Sequence, residues 1–223
     1  MSHRKPAVKI CCIESREEAT LAARHGATAI GLVSAMPSGP GVIDDATIRH
    51  IAAGAPPGVA TFLLTSRTDP EEIVAQQRHA GADTLQLVDR LASDALRTLR
   101  RLLPGVSLVQ VVHVRGEQSV EDAVAVAPLV DAVLLDSGNP DLLVRQLGGT
   151  GRVHDWGHSR AIVERADCPV YLAGGLRPTN VAAAVRAVRP FGVDVCSGVR
   201  TGGRLDEERL RRFMRAARGS GDG

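Results

Sequence analysis

The sequence predicts a single α/β domain folded as a (β/α)8 barrel. Eight short apolar segments alternate with helical segments along the 223 residues, and no linker or low-complexity stretch separates them. The chain is 44% hydrophobic but only 2% aromatic, so aliphatic residues must form its core, as in a parallel sheet that is covered on both faces. A doubly wound open sheet is the main alternative. It usually carries a glycine fingerprint after its first strand, where this chain has Cys11-Cys12-Ile13-Glu14.

The first four predicted strands are each followed by a helix. Ser15 is a suitable N-cap, with Glu17 and Glu18 in the first turn, and this helix is expected to stop at Gly26. Pro70 lies where the first turn of a helix tolerates proline. The strands are expected over Val8–Cys12, Thr28–Val33, Val59–Leu64 and Thr84–Val88, with helices that begin near Ser15, Asp44, Asp69 and Ser93.

The second half of the chain repeats this alternation four more times. We therefore expect residues 1–223 to form one barrel domain, with residues 219–223 as a disordered tail. The strands are expected over Ser107–Val114, Ala132–Leu135, Val170–Ala173 and Gly192–Cys196, and the helices over Glu117–Ala127, Ser159–Arg165, Pro178–Val188 and Leu205–Ala217.

The charge balance argues against a nucleic-acid partner. The net charge is only +2 at pH 7, whereas nucleic-acid binding needs a concentrated basic surface. The C-terminal segment 204–218 is rich in Arg, but Asp206, Glu207 and Glu208 offset it at the start of a predicted helix, which favours a solvated helix. No run approaches the roughly 18 apolar residues of a membrane span. We expect neither a nucleic acid nor a membrane as a partner.

The four cysteines are Cys11, Cys12, Cys168 and Cys196. Adjacent cysteines lack the spacing of metal ligands, and the long gaps do not resemble a disulfide framework. The N-terminal residues MSHRKPAVK also lack the apolar core of a signal peptide. We therefore expect a cytoplasmic protein with reduced thiols.

Three glycine-containing segments in the last third of the chain suggest a phosphate site. In a (β/α)8 barrel the carboxyl ends of the strands form the active-site face, and phosphate sites recur after the final strands. Glycines allow backbone N–H groups to approach an anion. The sequence therefore predicts a small phosphorylated ligand, held by Gly148-Gly149-Thr150-Gly151, Gly174-Gly175 and Ser197-Gly198.

Cys11 and Asp136, each at a strand end, are candidates for proton transfer. A thiol acts as a general base only as a thiolate, so its site must lower the pKa with positive charge, and Lys9 is expected on the same face of the first strand. Both residues also have ordinary explanations, since free cysteines are often small buried apolar groups and aspartates often cap turns. Further candidates for the substrate pocket are Lys9, Ser38, Gln86, His113, Asp155 and Trp156. His113 also suits a buried hydrogen bond, and Trp156 also suits packing.

The order of these segments resembles the phosphoribosylanthranilate isomerase family, which consists of (β/α)8 barrels. The similarity runs from Val8 to about Phe213 and is most specific from Asp131 to Arg200. It rests on Val8-Lys9-Ile10-Cys11, Leu134-Leu135-Asp136-Ser137, Gly148-Gly149-Thr150-Gly151 with Asp155-Trp156, Leu172-Ala173-Gly174-Gly175-Leu176 with Asn180-Val181, and Gly192-Val193-Asp194-Val195 with Ser197-Gly198-Val199.

The resemblance implies an Amadori rearrangement in tryptophan biosynthesis that uses no metal and no other cofactor. Asp136, in the family's acid position, would open the furanose ring to a Schiff base. Cys11, in the base position, would then remove the C2 proton. The glycine segments would hold the substrate's phosphate.

The first half of the chain departs from the family pattern. Cys12 stands where the family usually has glycine, and Gln86-Leu87-Val88-Asp89 replaces a Gln-Leu-His-Gly segment. Ser38-Gly39-Pro40 replaces a Ser-Pro-Arg segment whose arginine grips the anthranilate carboxylate. Arginine suits bidentate carboxylate binding, and the sequence offers Arg90, Arg115 and Arg152 as substitutes.

Two alternatives therefore accompany the isomerase interpretation. One is an isomerase of the same chemistry that acts on an aminoaldose phosphate without the carboxylate. The other is a barrel that binds a sugar phosphate without catalysis, although such a protein would not need both Cys11 and Asp136. The sequence is compatible with a monomer and with a homodimer.

Overall fold

The chain forms a closed barrel of eight parallel strands, so the predicted fold is confirmed. A computed structural model describes residues 5–137 and 155–219. The strands pair in chain order, and the first pairs with the last. They are β1 (Ala7–Ile10), β2 (Ala29–Val33), β3 (Ala60–Thr65), β4 (Thr84–Leu87), β5 (Ser107–His113), β6 (Ala132–Asp136), β7 (Val170–Leu172) and β8 (Gly192–Val195).

The helices surround the barrel, and most begin at a capping side chain. Ser15 and Asp44 each accept a hydrogen bond from the backbone N–H three residues further on, which satisfies a donor that the helix leaves open. The helices are α1 (Arg16–Arg24), α2 (Asp45–Ala53), α3 (Pro70–Ala80), α4 (Ser93–Leu102), α5 (Glu117–Val126), α6 (Trp156–Arg165), α7 (Val181–Val188) and α8 (Glu207–Arg218).

Three helix starts differ from the predicted ones, each beside a side chain that hydrogen-bonds to the backbone. Helix α8 begins at Glu207 rather than Leu205, after its cap Asp206. Helix α6 begins at Trp156 rather than Ser159, since Asp155 caps it by accepting a hydrogen bond from the N–H of Gly157 at 2.7 Å. Helix α7 begins at Val181 rather than Pro178. The Asn180 side chain there accepts from the N–H of Arg177 at 2.8 Å and donates to the carbonyl of Gly175 at 3.0 Å, which holds the segment as a turn.

The period of two along each strand divides the apolar core into two parts. One set of side chains packs between the strands and the surrounding helices. The other fills the barrel interior, for example Phe62 and Leu64 of β3 and Leu134 of β6.

No helix in residues 5–137 and 155–219 is long and apolar enough to cross a membrane.

A disulfide joins Cys12 to Cys196, so the expectation that the cysteines form no disulfide is wrong. The two residues are 184 positions apart in sequence, but their Cα atoms are 5.8 Å apart, within the usual range for a disulfide. Barrel closure explains this, because β1 pairs with β8 in a register that aligns Ile10 with Val195. Cys11 and Cys168 are free thiols.

A buried ion pair holds the C-terminal connection against α1. Arg200 donates to the Glu18 carboxylate at 2.8 Å and also to the Cys12 carbonyl. Burial opposes the charge on Glu18, but Arg200 and the N–H of Leu205 keep the pKa of this carboxyl below its ordinary value. Arg200 belongs to a small antiparallel hairpin that was not predicted, formed by β9 (Arg200–Thr201) and β10 (Arg204–Leu205).

We expect Arg200→Met to destabilise the fold by about 3 kcal/mol, because it leaves the Glu18 carboxylate partly buried without its counter-ion. Urea unfolding at neutral pH measures this loss. The matched control is Arg165→Met, which breaks an exposed pair with Glu121 and should destabilise the fold much less, because water screens that pair. Equal losses in the two variants would contradict a structural role for the buried pair.

Candidate active site

A cavity opens at the carboxyl ends of the strands and contains both proton-transfer candidates. It encloses about 700 Å³, including its open mouth. Its walls are mostly apolar, as is usual for a small-molecule site. Its lining includes Cys11, Cys12, Val33, Met36, Ser38, Gly39, Pro40, Leu64, Gln86, Val88, Val111, Leu134, Asp136, Ala173, Gly174, Gly175, Leu176, Asp194, Val195, Cys196 and Ser197.

Cys11 lies beside a buried ion pair on the cavity floor. Lys9 of β1 and Asp194 of β8 are direct partners in the strand register, and Lys9 Nζ lies 3.0 Å from Asp194 Oδ1. Lys9 is fully buried, and its charge is close enough to act on the Cys11 thiol. The structure therefore brings the predicted cation to the predicted base and adds a carboxylate that holds the cation.

The surroundings of Cys11 act on its pKa in opposite directions. Burial raises the pKa of the thiol to about 11, because a thiolate loses hydration there, whereas Lys9 lowers it. Burial also lowers the pKa of Lys9, but Asp194 and Cys11 outweigh this effect, so the pKa of Lys9 is raised. Lys9 therefore stays charged beside the thiol and favours the thiolate.

Asp136 ends β6 and is 8% exposed. Burial raises its pKa to about 6, and the negative charge of Asp194 contributes in the same direction. Asp136 Oδ1 accepts a hydrogen bond from the N–H of Ser137 at 2.7 Å, so the residue also has the turn contact that its position suggested. A carboxyl group with this pKa exchanges protons close to neutral pH.

The glycine segments that the structure describes lie at the ends of β7 and β8. Gly174 and Gly175 have φ values of 81° and 63°, two successive left-handed residues that favour glycine. Both line the cavity together with Ser197. Gly198 lines an adjoining cavity beside Arg177, Arg209 and Arg212. The predicted segment Gly148-Gly149-Thr150-Gly151 lies outside the described residues.

The remaining candidates divide between this cavity and other places. Ser38 and the buried Gln86 line it. His113 lies instead in a second cavity, formed by the β4–α4 and β5–α5 connections, together with Arg90 and Arg115. Asp155 caps α6, as described above, and Trp156 packs against the apolar core outside the barrel. Arg152 lies outside the described residues.

Gly31 and Asp194 belong to the site but were not predicted. A Cβ atom at Gly31 of β2 would lie 2.7 Å from Cys11 Sγ and 3.1 Å from Lys9 Nζ, so the glycine leaves space for both groups. A glycine inside a buried strand often marks a place where another group approaches the backbone closely. Asp194 also carried a signal, because an inward-facing carboxylate in an apolar strand needs a buried counter-charge.

Comparison with known proteins relates the chain to one family. The model of the N-(5′-phosphoribosyl)anthranilate isomerase family matches residues 8–216. A relative named N-(5′-phosphoribosyl)anthranilate isomerase 2, from Methanosarcina mazei, is 36% identical over 213 residues, which cover 95% of this chain and 93% of the relative. The N-(5′-phosphoribosyl)anthranilate isomerase of Haloferax volcanii is 38% identical over 213 residues, which cover 95% of this chain and 92% of that relative.

Solved structures show the same similarity. The phosphoribosylanthranilate isomerase of Thermotoga maritima superposes with a TM-score of 0.82 at 29% identity and covers 95% of this chain and 98% of its own. A phosphoribosylanthranilate isomerase solved with reduced 1-(o-carboxyphenylamino)-1-deoxyribulose 5-phosphate has a TM-score of 0.79 at 27% identity, with the same coverage. The chain therefore belongs to the phosphoribosylanthranilate isomerase family and is an isomerase.

Proposed function

We propose that this isomerase uses Cys11 as the general base and Asp136 as the general acid in the Amadori rearrangement of N-(5′-phosphoribosyl)anthranilate, a step of tryptophan biosynthesis. The single observation that carries the proposal is the shared cavity. Cys11 and Asp136 both line it, with a buried ammonium beside the thiol and a raised pKa on the carboxyl group. A carboxyl group with a pKa raised towards neutrality suits a general acid, and a cation beside a thiol favours the thiolate that a general base requires.

The acid step opens the sugar ring. Asp136 in its protonated form donates to the furanose oxygen, the bond from C1 to that oxygen breaks, and the nitrogen lone pair forms a C1=N bond. The product is a protonated Schiff base, and Asp136 is left as the carboxylate. The pKa of about 6 supports this role, because an ordinary aspartate would hold its proton far less often at neutral pH.

The base step moves the second proton. The Cys11 thiolate removes the proton from C2, the electron pair forms C1=C2, and the electrons of the C1=N bond return to nitrogen. The resulting enolamine gains a proton at C1 and loses one from the C2 hydroxyl, which gives the ketose. Lys9 supports this step because its positive charge stabilises the thiolate, which burial deprives of hydration.

Anchoring of the phosphate completes the proposal. Gly174, Gly175 and Ser197 line the cavity at the ends of β7 and β8, and Gly198 follows directly. Phosphate sites of (β/α)8 barrels commonly use these connections. Held at this rim, the substrate would extend its ribose across the cavity towards Cys11 and Asp136.

One observation favours the alternative substrate. None of the described residues that line the cavity is Arg or Lys, and the β2–α2 connection contributes Met36, Ser38, Gly39 and Pro40. A carboxylate on the aromatic ring would therefore lack a cationic partner among the described lining residues. An aminoaldose phosphate without that carboxylate would need no cationic partner at this end of the cavity.

The first test replaces the two proposed catalytic groups. Cys11→Ala and Asp136→Asn should each lower kcat/KM by about 10³-fold, within the range for loss of a general acid or base. Fluorescence assays and complementation of a tryptophan auxotroph that lacks this isomerase measure the effect. Cys168→Ala, which removes a free thiol outside the cavity lining, should retain activity.

Activity of either catalytic variant within tenfold of the wild type would contradict the assigned roles. Turnover of N-(5-phosphoribosyl)aniline without turnover of the anthranilate compound would support the alternative substrate.

The second test is the pH profile. The reactive form needs a protonated Asp136 and an ionised Cys11, the reverse of what pKa values of about 6 and about 11 favour. The population of this form rises tenfold per pH unit up to about 6 and is then level to about 11. We therefore expect kcat/KM to decrease below about pH 6 and to stay constant above it, in steady-state assays from about pH 5 to about pH 9. A decline that begins near pH 8 would contradict this ionisation scheme.

The third test concerns Lys9. Lys9→Met removes the cation that lowers the pKa values of Cys11 and Asp136. It should lower kcat/KM about tenfold for each unit by which the pKa of Cys11 rises beyond the rise in the pKa of Asp136. The pH dependence of Cys11 alkylation by iodoacetamide should shift upward in parallel, whereas the exposed control Lys5→Met should match the wild type. Lower activity with an unchanged alkylation profile would indicate a structural role alone.

A further inference from the structure

The disulfide between Cys12 and Cys196 lies in the wall of the active-site cavity. We propose that this pair is a reversible redox-modification site, through which thiol and disulfide compounds control the isomerase. The disulfide form holds the site in its working geometry, and reduction lowers activity. The effect on activity rests on the proposed function of this site, whereas the exchange chemistry of the pair does not.

The bond connects two segments that carry different parts of the proposed site. Cys12 directly follows Cys11, and Cys196 directly precedes Ser197. Between β1 and β8 the structure also provides the ion pair of Lys9 with Asp194 and backbone hydrogen bonds, such as that from the Cys11 N–H to the Val195 carbonyl at 2.8 Å. The disulfide thus joins the proposed base and the proposed phosphate rim covalently.

The pair is accessible to small molecules through the substrate cavity. Both cysteines line the cavity, and Cys196 is half-buried. A small thiol or disulfide can therefore reach these sulfur atoms by the path that the substrate uses. This access distinguishes the pair from a structural disulfide inside a core, which reagents meet only after unfolding.

The backbone at Cys12 provides a way for the redox state to affect Cys11. Cys12 has a φ of 62°, a left-handed conformation that is unfavourable for a residue with a side chain. Arg200 holds its carbonyl, and Gly41 packs so closely that a Cβ atom there would collide with Cys12 Cβ. The bond to Cys196 restrains the Cys12 side chain as well. Reduction removes this restraint, so the backbone turn at Cys12 can relax. Because this turn directly follows Cys11, its relaxation can displace the Cys11 thiol.

The exchange is a balanced two-electron reaction. The Cys196 thiolate attacks one sulfur of a disulfide R–S–S–R, the S–S bond breaks, and one R–S⁻ leaves and takes up a proton. The Cys12 thiolate then attacks Cys196 Sγ in the mixed disulfide and releases the second R–SH. Two thiols are oxidised and one external disulfide is reduced to two thiols. Dithiothreitol drives the reverse reaction.

Thiol counting tests the site without any need for catalysis. The full-length protein is equilibrated with glutathione disulfide or with dithiothreitol, freed of reagent, denatured, and titrated with Ellman's reagent. We expect two reactive thiols after oxidation, Cys11 and Cys168, and four after reduction. Peptide mapping should locate the bond at Cys12 and Cys196. Four thiols after both treatments, or a bond that dithiothreitol removes only in denaturant, would overturn the proposal.

Kinetics test the control of activity. Reduction should lower kcat/KM about tenfold, the scale expected when a catalytic group is displaced by a fraction of an ångström, and glutathione disulfide should restore it. Cys196→Ser should behave like the reduced protein in both treatments, and Cys168→Ser should respond like the wild type. Equal kcat/KM in the oxidised and reduced protein would overturn the control of activity. Absence of turnover in both states, with a reversible bond, would instead count against the proposed isomerase function.

Discussion

The ion pair between Lys9 and Asp194 is the interaction on which the proposed chemistry depends. Closed strands and packed side chains exclude water from the barrel interior, and in that environment an isolated charge is unfavourable. Lys9 remains charged because Asp194 lies 3.0 Å away in the neighbouring strand. The pair in turn supplies the positive charge that a buried thiolate needs. Without barrel closure, β1 and β8 would not be neighbours, and this arrangement could not form.

Buried ion pairs contribute little to stability in general, because desolvation offsets much of the attraction. The position of this pair is better explained by what it does to its neighbours. Lys9 opposes the rise in the pKa of Cys11 and Asp194 adds to it, and the two charges act on the pKa of Asp136 in the same opposed directions. Both proposed catalytic groups are thus within reach of one pair of charges, which joins the first strand to the last.

Local patterns predicted the fold and part of the site. The period of two in apolar strands and the capping residues Ser15 and Asp44 identified the elements, and strand ends identified Cys11 and Asp136. Contacts between residues distant in sequence were not readable. Asp194 and Cys196 meet Lys9 and Cys12 only because the register of β1 on β8 aligns Ile10 with Val195. His113 shows the converse: it ends β5, one residue before the predicted end at Val114, but it lines a different cavity.

The disulfide also changes the topology of the molecule. It connects residue 12 to residue 196, so most of the chain lies inside one covalent ring with two short free ends. A protease that cuts a single peptide bond within this ring opens the ring but releases no fragment, and both pieces stay joined through sulfur. The packed strands would then hold a cleaved molecule together, and its two pieces would stay covalently joined until an external thiol reduced the disulfide.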